Sequence, residues 1–155
     1  EEAIIQALNH SEAPSAVQCV INPLNSAVAI GYVSEAFNPL AILSECQQLD
    51  IPILAIRAVQ AGALTSSMDR SPHESGFDET DFDDFDKAEP FRSLAIEWGE
   101  SPASLAHRYA LSIKGVASVI LGVKNRTELK ECVEAEAKDL LSDSEIQQIE
   151  NCLKG

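Results

Sequence analysis

Apolar and polar positions alternate along the chain in blocks of two kinds. Residues 1–9, EEAIIQALN, place Ile4, Ile5 and Leu8 on one helical face behind acids in the first turn, which predicts a helix. Residues 16–21, AVQCVI, form a short, mostly apolar run between Pro14 and Pro23 and predict a buried strand. Residues 24–38 fit neither pattern and read as a long connection. PLAILSECQQL, 39–49, predicts a helix capped by Asn38, with Pro39 at the first helical position, where a missing N–H costs nothing. IPILAIRAV, 51–59, predicts a second buried strand, followed by Gly62 and a polar loop from Thr65 onward.

The second half continues the alternation. Residues 88–98 predict a helix, and Ser101-Pro102 opens another that runs to Ile113 and stops at Gly115. VASVIL, 116–121, predicts a third buried strand. After the turn 122–125, residues 126–137 predict a helix with Leu129, Val133 and Ala137 on one face. The last helix opens LSDSEI: Ser142 caps it, Glu145 completes a capping box and Leu141 staples to Ile146.

Apolar strands separated by helices predict right-handed crossovers and a parallel sheet. A sheet of three such strands has two open apolar edges and makes a poor domain by itself. A closed eight-stranded barrel takes about 250 residues. The pattern therefore reads as part of a (β/α)8 barrel, about three parallel strands with flanking helices. The chain begins Glu1-Glu2 rather than Met, so it is either trimmed or a piece of something longer.

Charge narrows the function classes. With 25 acids against 11 bases the net charge is −14. A reader of phosphate backbones draws its affinity largely from Lys and Arg, so nucleic acid is not the expected partner, and neither is an anionic membrane. No apolar run approaches the roughly 20 residues of a membrane helix, and no basic-then-apolar leader is visible. Cys19, Cys46, Cys132 and Cys152 are scattered, with no CxxC and no histidine at ligand spacing, so they read as reduced thiols of a cytoplasmic protein, and no metal is expected.

Residues 69–89 hold half the excess negative charge, and 66–89 as a whole reads as an acidic surface loop anchored by Phe77, Phe82 and Phe85. Its DFDDFD lacks the glycine and terminal glutamate that an EF-hand calcium loop requires.

Hydrolytic chemistry has no footing. There is no GxSxG turn, and His10, His73 and His107 lie far apart. His107, inside a predicted helix, reads as structural or exposed, and His10 as a helix-end residue. The strand ends carry more. Gly122-Val123-Lys124-Asn125 leads from the third strand into a helix N-terminus, which offers backbone N–H groups and a positive dipole end. Lys124, Arg126 and Lys130 cluster there against the charge trend of the chain. In barrels the loops after the last two strands commonly bind phosphate. Asn125 as N-cap with Glu128 three residues later describes a well-capped helix equally well, and both readings stay open. The stretch 57–65, with Gly62, comes after the second strand, where a glycine is usually only a turn.

RAVQAGALT (57–65), SPASLAHRYAL (101–111) and ASVILGVKNRTELKECVEAE (117–136) resemble the C-terminal half of an aldo/keto reductase. AVQCVINPLN (16–25) is similar to that family's sixth-strand segment, and LSDSEIQQI to its closing helix. The resemblance runs from Glu2 to Ile149 and makes residues 1–155 a partial aldo/keto reductase domain. It implies an NADP(H)-dependent (β/α)8 barrel that reduces aldehydes and ketones with hydride from NADPH.

By this resemblance Gln18 falls on the residue that binds the nicotinamide carboxamide. Arg57, Val59 and Gly62 fall on the loop that wraps the pyrophosphate. Leu121, Gly122, Val123 and Lys124 fall on the loop that holds the adenosine ribose and its 2′-phosphate, and Glu131 on an adenine contact. The plainer alternatives are a satisfied core amide for Gln18 and packing for Val59.

The chain departs from the family pattern at four places. Ile56 replaces a Tyr, Leu121 a Pro, Glu128 an Arg or Gln, and Cys132 an Asn. Glu128 would repel a 2′-phosphate and Lys124 would compensate, which leaves NADH as the alternative cofactor. The family's Asp-Tyr-Lys-His constellation sits on the first four strands, and its Ser-Asn pair after the fifth, all upstream of Glu1. No catalytic residue is therefore assigned, and the chain alone is expected to be inactive.

The implied partners are the nicotinamide cofactor, a small carbonyl substrate, and the N-terminal half of the barrel or, without it, further copies of the chain. Two other classes compete. One is a non-catalytic nucleotide-binding or regulatory relative; the other is an interaction module whose acidic segment docks a basic partner.

Overall fold

The computed structural model describes residues 2–24, 38–68 and 79–154. Helices and strands succeed one another in the order α1 (Glu2–Leu8), β1 (Val17–Val20), α2 (Pro39–Leu49), β2 (Ile53–Ile56), α3 (Glu79–Lys87), α4 (Glu89–Glu97), α5 (Pro102–Ser112), β3 (Val116–Val119), α6 (Arg126–Glu136) and α7 (Asp143–Cys152). The strands form one parallel sheet in the order β1-β2-β3. Val17 to Val20 pair with Ile53 to Ile56 in unbroken register. Ile53 pairs with Val116 but Leu54 with Ser118, so Ala117 is an extra residue in β3, a bulge. The predicted connection 24–38 lies outside the described residues except at its two ends.

Side-chain caps set the helix starts. Asn38 accepts from the Leu40 N–H at 3.0 Å. Ser101 accepts from the Ser104 N–H at 3.1 Å. Ser142 and Glu145 form the reciprocal box that the LSDSEI spacing predicts, and Leu141 and Ile146 meet in one apolar cluster.

Alternation along the strands sends Val17, Cys19, Ile53 and Ala55 to one face of the sheet, where they pack with Leu8, Ile42, Cys46 and Ala110. A second core lies between α4, α5 and α7, built on Phe91, Ala95, Leu105, Tyr109, Leu141 and Ile149. On the opposite face Gln18 and Ser118 are exposed, as is Ile120 beyond the end of β3, while Val20 is buried.

Side chains of α5 tie down the segment between α6 and α7. Arg108 pairs with Glu100 and donates to the Asp139 carbonyl at 2.8 Å. Ser112 Oγ accepts from the Leu141 N–H at 2.8 Å, Lys138 donates to Ser104 Oγ at 3.1 Å, and the Tyr109 hydroxyl donates to Glu150 at 3.1 Å.

Three expectations need correction. The third strand is not buried: Val116 and Val119 are half-buried, Ala117 and Ser118 exposed, because β3 lies at an edge of the sheet among the described residues. Helix α6 turns the other way from its apolar stripe. Cys132 and Ala135 are buried, while Leu129 and Val133 are 47% and 58% exposed. The face that meets α5 is small and polar, and its half-buried Glu128 and Glu131 have hydrogen-bond partners, so apolarity alone selects the wrong side.

The acidic segment 66–89 is not all loop, since it contains α3 and the start of α4. Phe82, Phe85 and Ala88 recur every three residues and turn inward, with Ala88 buried and both phenylalanines half-buried. Phe77 and His73 lie outside the described residues.

The four cysteines are free thiols, and no helix among the described residues is long and apolar enough to cross a membrane.

Candidate functional site

The C-terminal ends of β2 and β3 carry the two loops that wall a cavity of about 430 Å³. After Ile56 the chain turns sharply. Arg57, Gln60 and Ala61 have φ of 56°, 45° and 53°, and Gly62 has 100°. Glycine enters that region freely, whereas each of the other three is strained by about 1–3 kcal/mol. The turn closes with hydrogen bonds from the Gly62 and Leu64 N–H groups to the Val59 carbonyl, at 3.0 and 3.2 Å. Val59, Ala61, Gly62 and Thr65 face the cavity, together with Ser66 and Ser67.

The second wall is the passage from β3 into α6. Asn125 accepts from the Thr127 and Glu128 N–H groups at 2.9 and 3.0 Å. Glu128 returns the arrangement, its carboxylate accepting from the Lys124 N–H and from the Asn125 amide, both at 2.8 Å. The two readings of Gly122-Val123-Lys124-Asn125 are thus compatible: the turn caps its helix, and Gly122, Val123 and Lys124 also line the cavity. Glu128 is engaged by its own helix end.

The floor comes from α5 and α6. Ala103 and His107 stand opposite Glu131 and Cys132. The Ser101 hydroxyl, which caps α5, donates to the Glu131 carboxylate and fixes it. His107 Nε2 lies 3.2 Å from Cys132 Sγ, and His107 Nδ1 is buried with no partner. Burial pushes the His107 imidazole below its ordinary value, with nearby Glu131 pulling the other way. Burial and the charges of Glu131 and Glu128 push the Cys132 thiol up.

His107 is 7% exposed, so of the two alternatives, structural or exposed, it is not the exposed one: it is buried and lines the cleft. Its burial makes stability depend on pH. The unfolded chain protonates this histidine near 6.5, the folded chain only at lower pH, so the unfolded state binds the extra proton first. Stability should therefore drop as pH falls through that value. Melting temperatures from about pH 7.5 down to about pH 5.5 should fall more steeply for the native chain than for His107→Leu. Parallel profiles would show that His107 titrates alike in both states.

Among the residues singled out in the sequence, Val59, Gly62, Gly122, Val123, Lys124 and Glu131 all meet at the cavity. Three stand apart. Gln18 is exposed on the face of the sheet opposite Cys19. Leu121 is 40% exposed and outside the cavity. Arg57 lies behind the loop, its Nε donating to Gln60 Oε1 at 2.9 Å. His107 and Cys132 add lining that separate readings of each residue do not join; the signal is their common departure from pure apolarity on facing helices. Gln60, an amide inside the apolar run AVQAGAL, is a similar signal.

Gly122 tests whether a nucleoside-sized group fits. A Cβ built on it meets nothing within 4 Å, and its φ is not in the left-handed region. No neighbouring side chain among the described residues requires glycine there, and Gly122 lines the cavity. Backbone on one side, a lysine at the rim, and a carboxylate with an unpartnered imidazole nitrogen at the floor suit an adenosine unit with its phosphate.

Parallel strands with helices between them, and a cleft beyond the C-terminal strand ends, are the arrangement of a portion of a (β/α) barrel. The chain belongs to the aldo/keto reductase family, whose model matches residues 2–154. Its fold is similar to the aldo-keto reductase AKR11C1 from Bacillus halodurans in the holo form, with TM-score 0.69 and 18% identity over 97% of this chain and 46% of that one. The apo form matches with the same score and identity over 47% of its chain. The glycerol dehydrogenase AKR11B4 from Gluconobacter oxydans matches with TM-score 0.64 and 20% identity over 89% of this chain and 42% of that one. These likenesses establish the fold, and the chain spans less than half the length of each. No curated protein matches it.

Proposed function

We propose that this chain is the cofactor-cradling portion of an aldo/keto reductase that reduces aldehydes or ketones with NADPH. The observation that carries the reading is the cleft itself: a strained backbone loop facing a capped helix start, with Lys124 at the rim and Glu131 fixed at the floor. A bound nicotinamide supplies a hydride to the carbonyl carbon, and the protein binds and orients it.

In this reading Val59 and Gly62 present the loop to the pyrophosphate and Arg57 braces that loop from behind. Gly122 and Val123 leave room for the adenosine ribose, Lys124 meets its 2′-phosphate, and Glu131 accepts from the base. Gln18, on the face of the sheet opposite Cys19, holds the carboxamide. The proton donor belongs to a part of the parent barrel that this sequence does not contain.

Gly122 offers the test. A Cβ at Gly122 meets nothing within 4 Å, and Gly122→Val extends a side chain from that point beside the cavity. Crowding a filled site costs about 1–3 kcal/mol, or about five- to a hundredfold in affinity. Fluorescence titration of the full-length protein should show NADPH weakened by that factor with the melting temperature unchanged. Undiminished binding would place the cofactor elsewhere.

A further inference from the structure

We propose that α3 is a strut for the loop after β2, and that Asp84 is a positioning residue for the dinucleotide, acting through Gln60. The proposal rests on the reading of the cleft as a dinucleotide site. It starts from strain. Three non-glycine residues in the left-handed region within five positions persist only where the surroundings over-determine them.

Gln60 supplies most of that constraint. It is 0% exposed, and both ends of its amide are engaged. Its Oε1 accepts from Arg57 Nε at 2.9 Å and from Asn22 Nδ2 at 3.2 Å. Its Nε2 donates to Asp84 Oδ2 at 2.9 Å. Asn22, at the exit of β1, also donates to the Arg57 carbonyl at 3.2 Å. Two of the strained residues are thereby held by side-chain bonds that meet at one buried amide, and that amide is anchored on α3.

A second tie joins the same helix to the same loop. Arg92 Nη1 donates to the Phe85 carbonyl at 2.6 Å and to the Ala63 carbonyl at 3.3 Å, and its guanidinium lies 3.8 Å over the Phe85 ring. Asp84 is 6% exposed, with Lys87 at 3.7 Å across its outer side. Asn22, Gln60, Asp84 and Arg92 do not line the cavity, whereas Val59, Ala61 and Gly62 do. The loop is shaped from behind by a helix more than twenty residues further along the chain.

Without the Asp84 carboxylate, one Gln60 N–H is buried unpaired, and the loop gains by relaxing Arg57 and Gln60 out of the left-handed region. The backbone of Val59–Gly62 then no longer matches the pyrophosphate, which NADH and NADPH share. Lys124, by contrast, concerns only the 2′-phosphate.

The experiment compares Asp84→Ala and Asp84→Asn with the native full-length protein, titrated with NADH, NADPH and 2′-AMP, beside melting curves. An asparagine oxygen still accepts from Gln60, so Asp84→Asn should bind all three ligands within about threefold of native. Asp84→Ala should weaken both dinucleotides about tenfold and leave 2′-AMP unchanged, since 2′-AMP touches only the α6 side. Native affinity for dinucleotides in Asp84→Ala would overturn the proposal. Equal loss of all three ligands, in step with the folded fraction, would overturn it too, leaving Asp84 only a stability role. If Asp84→Ala does not fold, Asp84→Ser, with a shorter reach, is judged by the same comparison. A native protein that binds neither dinucleotide would sink the dinucleotide reading itself, and the strut with it.

Discussion

The 155-residue chain, purified alone, is expected to reduce a reactive aldehyde with NADPH no faster than buffer does. Carbonyl reduction needs a proton at the oxygen as the hydride arrives, and losing a general acid costs about 10²–10⁴-fold. The described residues offer no replacement. Tyr109 is buried in α5, away from the cleft, with its hydroxyl on Glu150. Burial and the Glu150 charge push that hydroxyl far above its ordinary range, so it holds its proton. His107 does line the cleft, but burial disfavours its charged form and its Nε2 faces Cys132. Loss of NADPH absorbance that depends on both the aldehyde and this chain would show that a donor has been overlooked.

Lys124→Ala in the full-length protein is expected to separate the two cofactors. Removing a charged partner from a phosphate costs on the order of 1.5–3 kcal/mol, or about tenfold to a hundredfold in affinity. NADPH should lose that much and NADH almost nothing. The cap geometry sharpens this expectation. Glu128 accepts from the Lys124 N–H, so the backbone at position 124 is held by α6 whatever its side chain is. The substitution therefore removes a charge and leaves the backbone bond from position 124 to Glu128 available. Equal losses for NADH and NADPH would mean that Lys124 only shapes the loop. The same geometry alters what Glu128 implies. Its carboxylate is committed to the helix start, so Glu128→Gln trades part of the cap for any relief of repulsion.

The features legible in the sequence were local ones. Asn38-Pro39, Ser101-Pro102 and the box at Ser142 and Glu145 depend on neighbours a few positions away, and all three mark helix starts in the structure. The three strands were legible because each is a short, mostly apolar run bounded by turn signals, although β3, at an edge among the described residues, is not buried as that pattern implies. The orientation of α6 was not, because its inner face is chosen by partners on α5: Ser101 for Glu131 and His107 for Cys132. Nor was α3, whose acids hide the spacing of Phe82, Phe85 and Ala88.

The cleft divides in the same way. Loop residues that a local pattern marks, such as Gly62, Gly122 and Lys124, do meet there. The polar junction of Asn22, Gln60 and Asp84 joins three distant segments, and no spacing along the chain announces it.

The fastening of α5 to the link between α6 and α7 bears on how the C-terminal third comes apart. That link has no ladder of its own, yet the Asp139 carbonyl and the Leu141 N–H are both held by side chains of α5. Lys138 is held there as well, and Tyr109 reaches across to α7. Opening this connection therefore breaks bonds to α5 side chains, which sit on the same helix that packs into the Leu105–Ile149 core. Hydrogen exchange at the Leu141 amide is therefore expected to be slower than in a link bonded only to water, because its partner lies on a helix of the core.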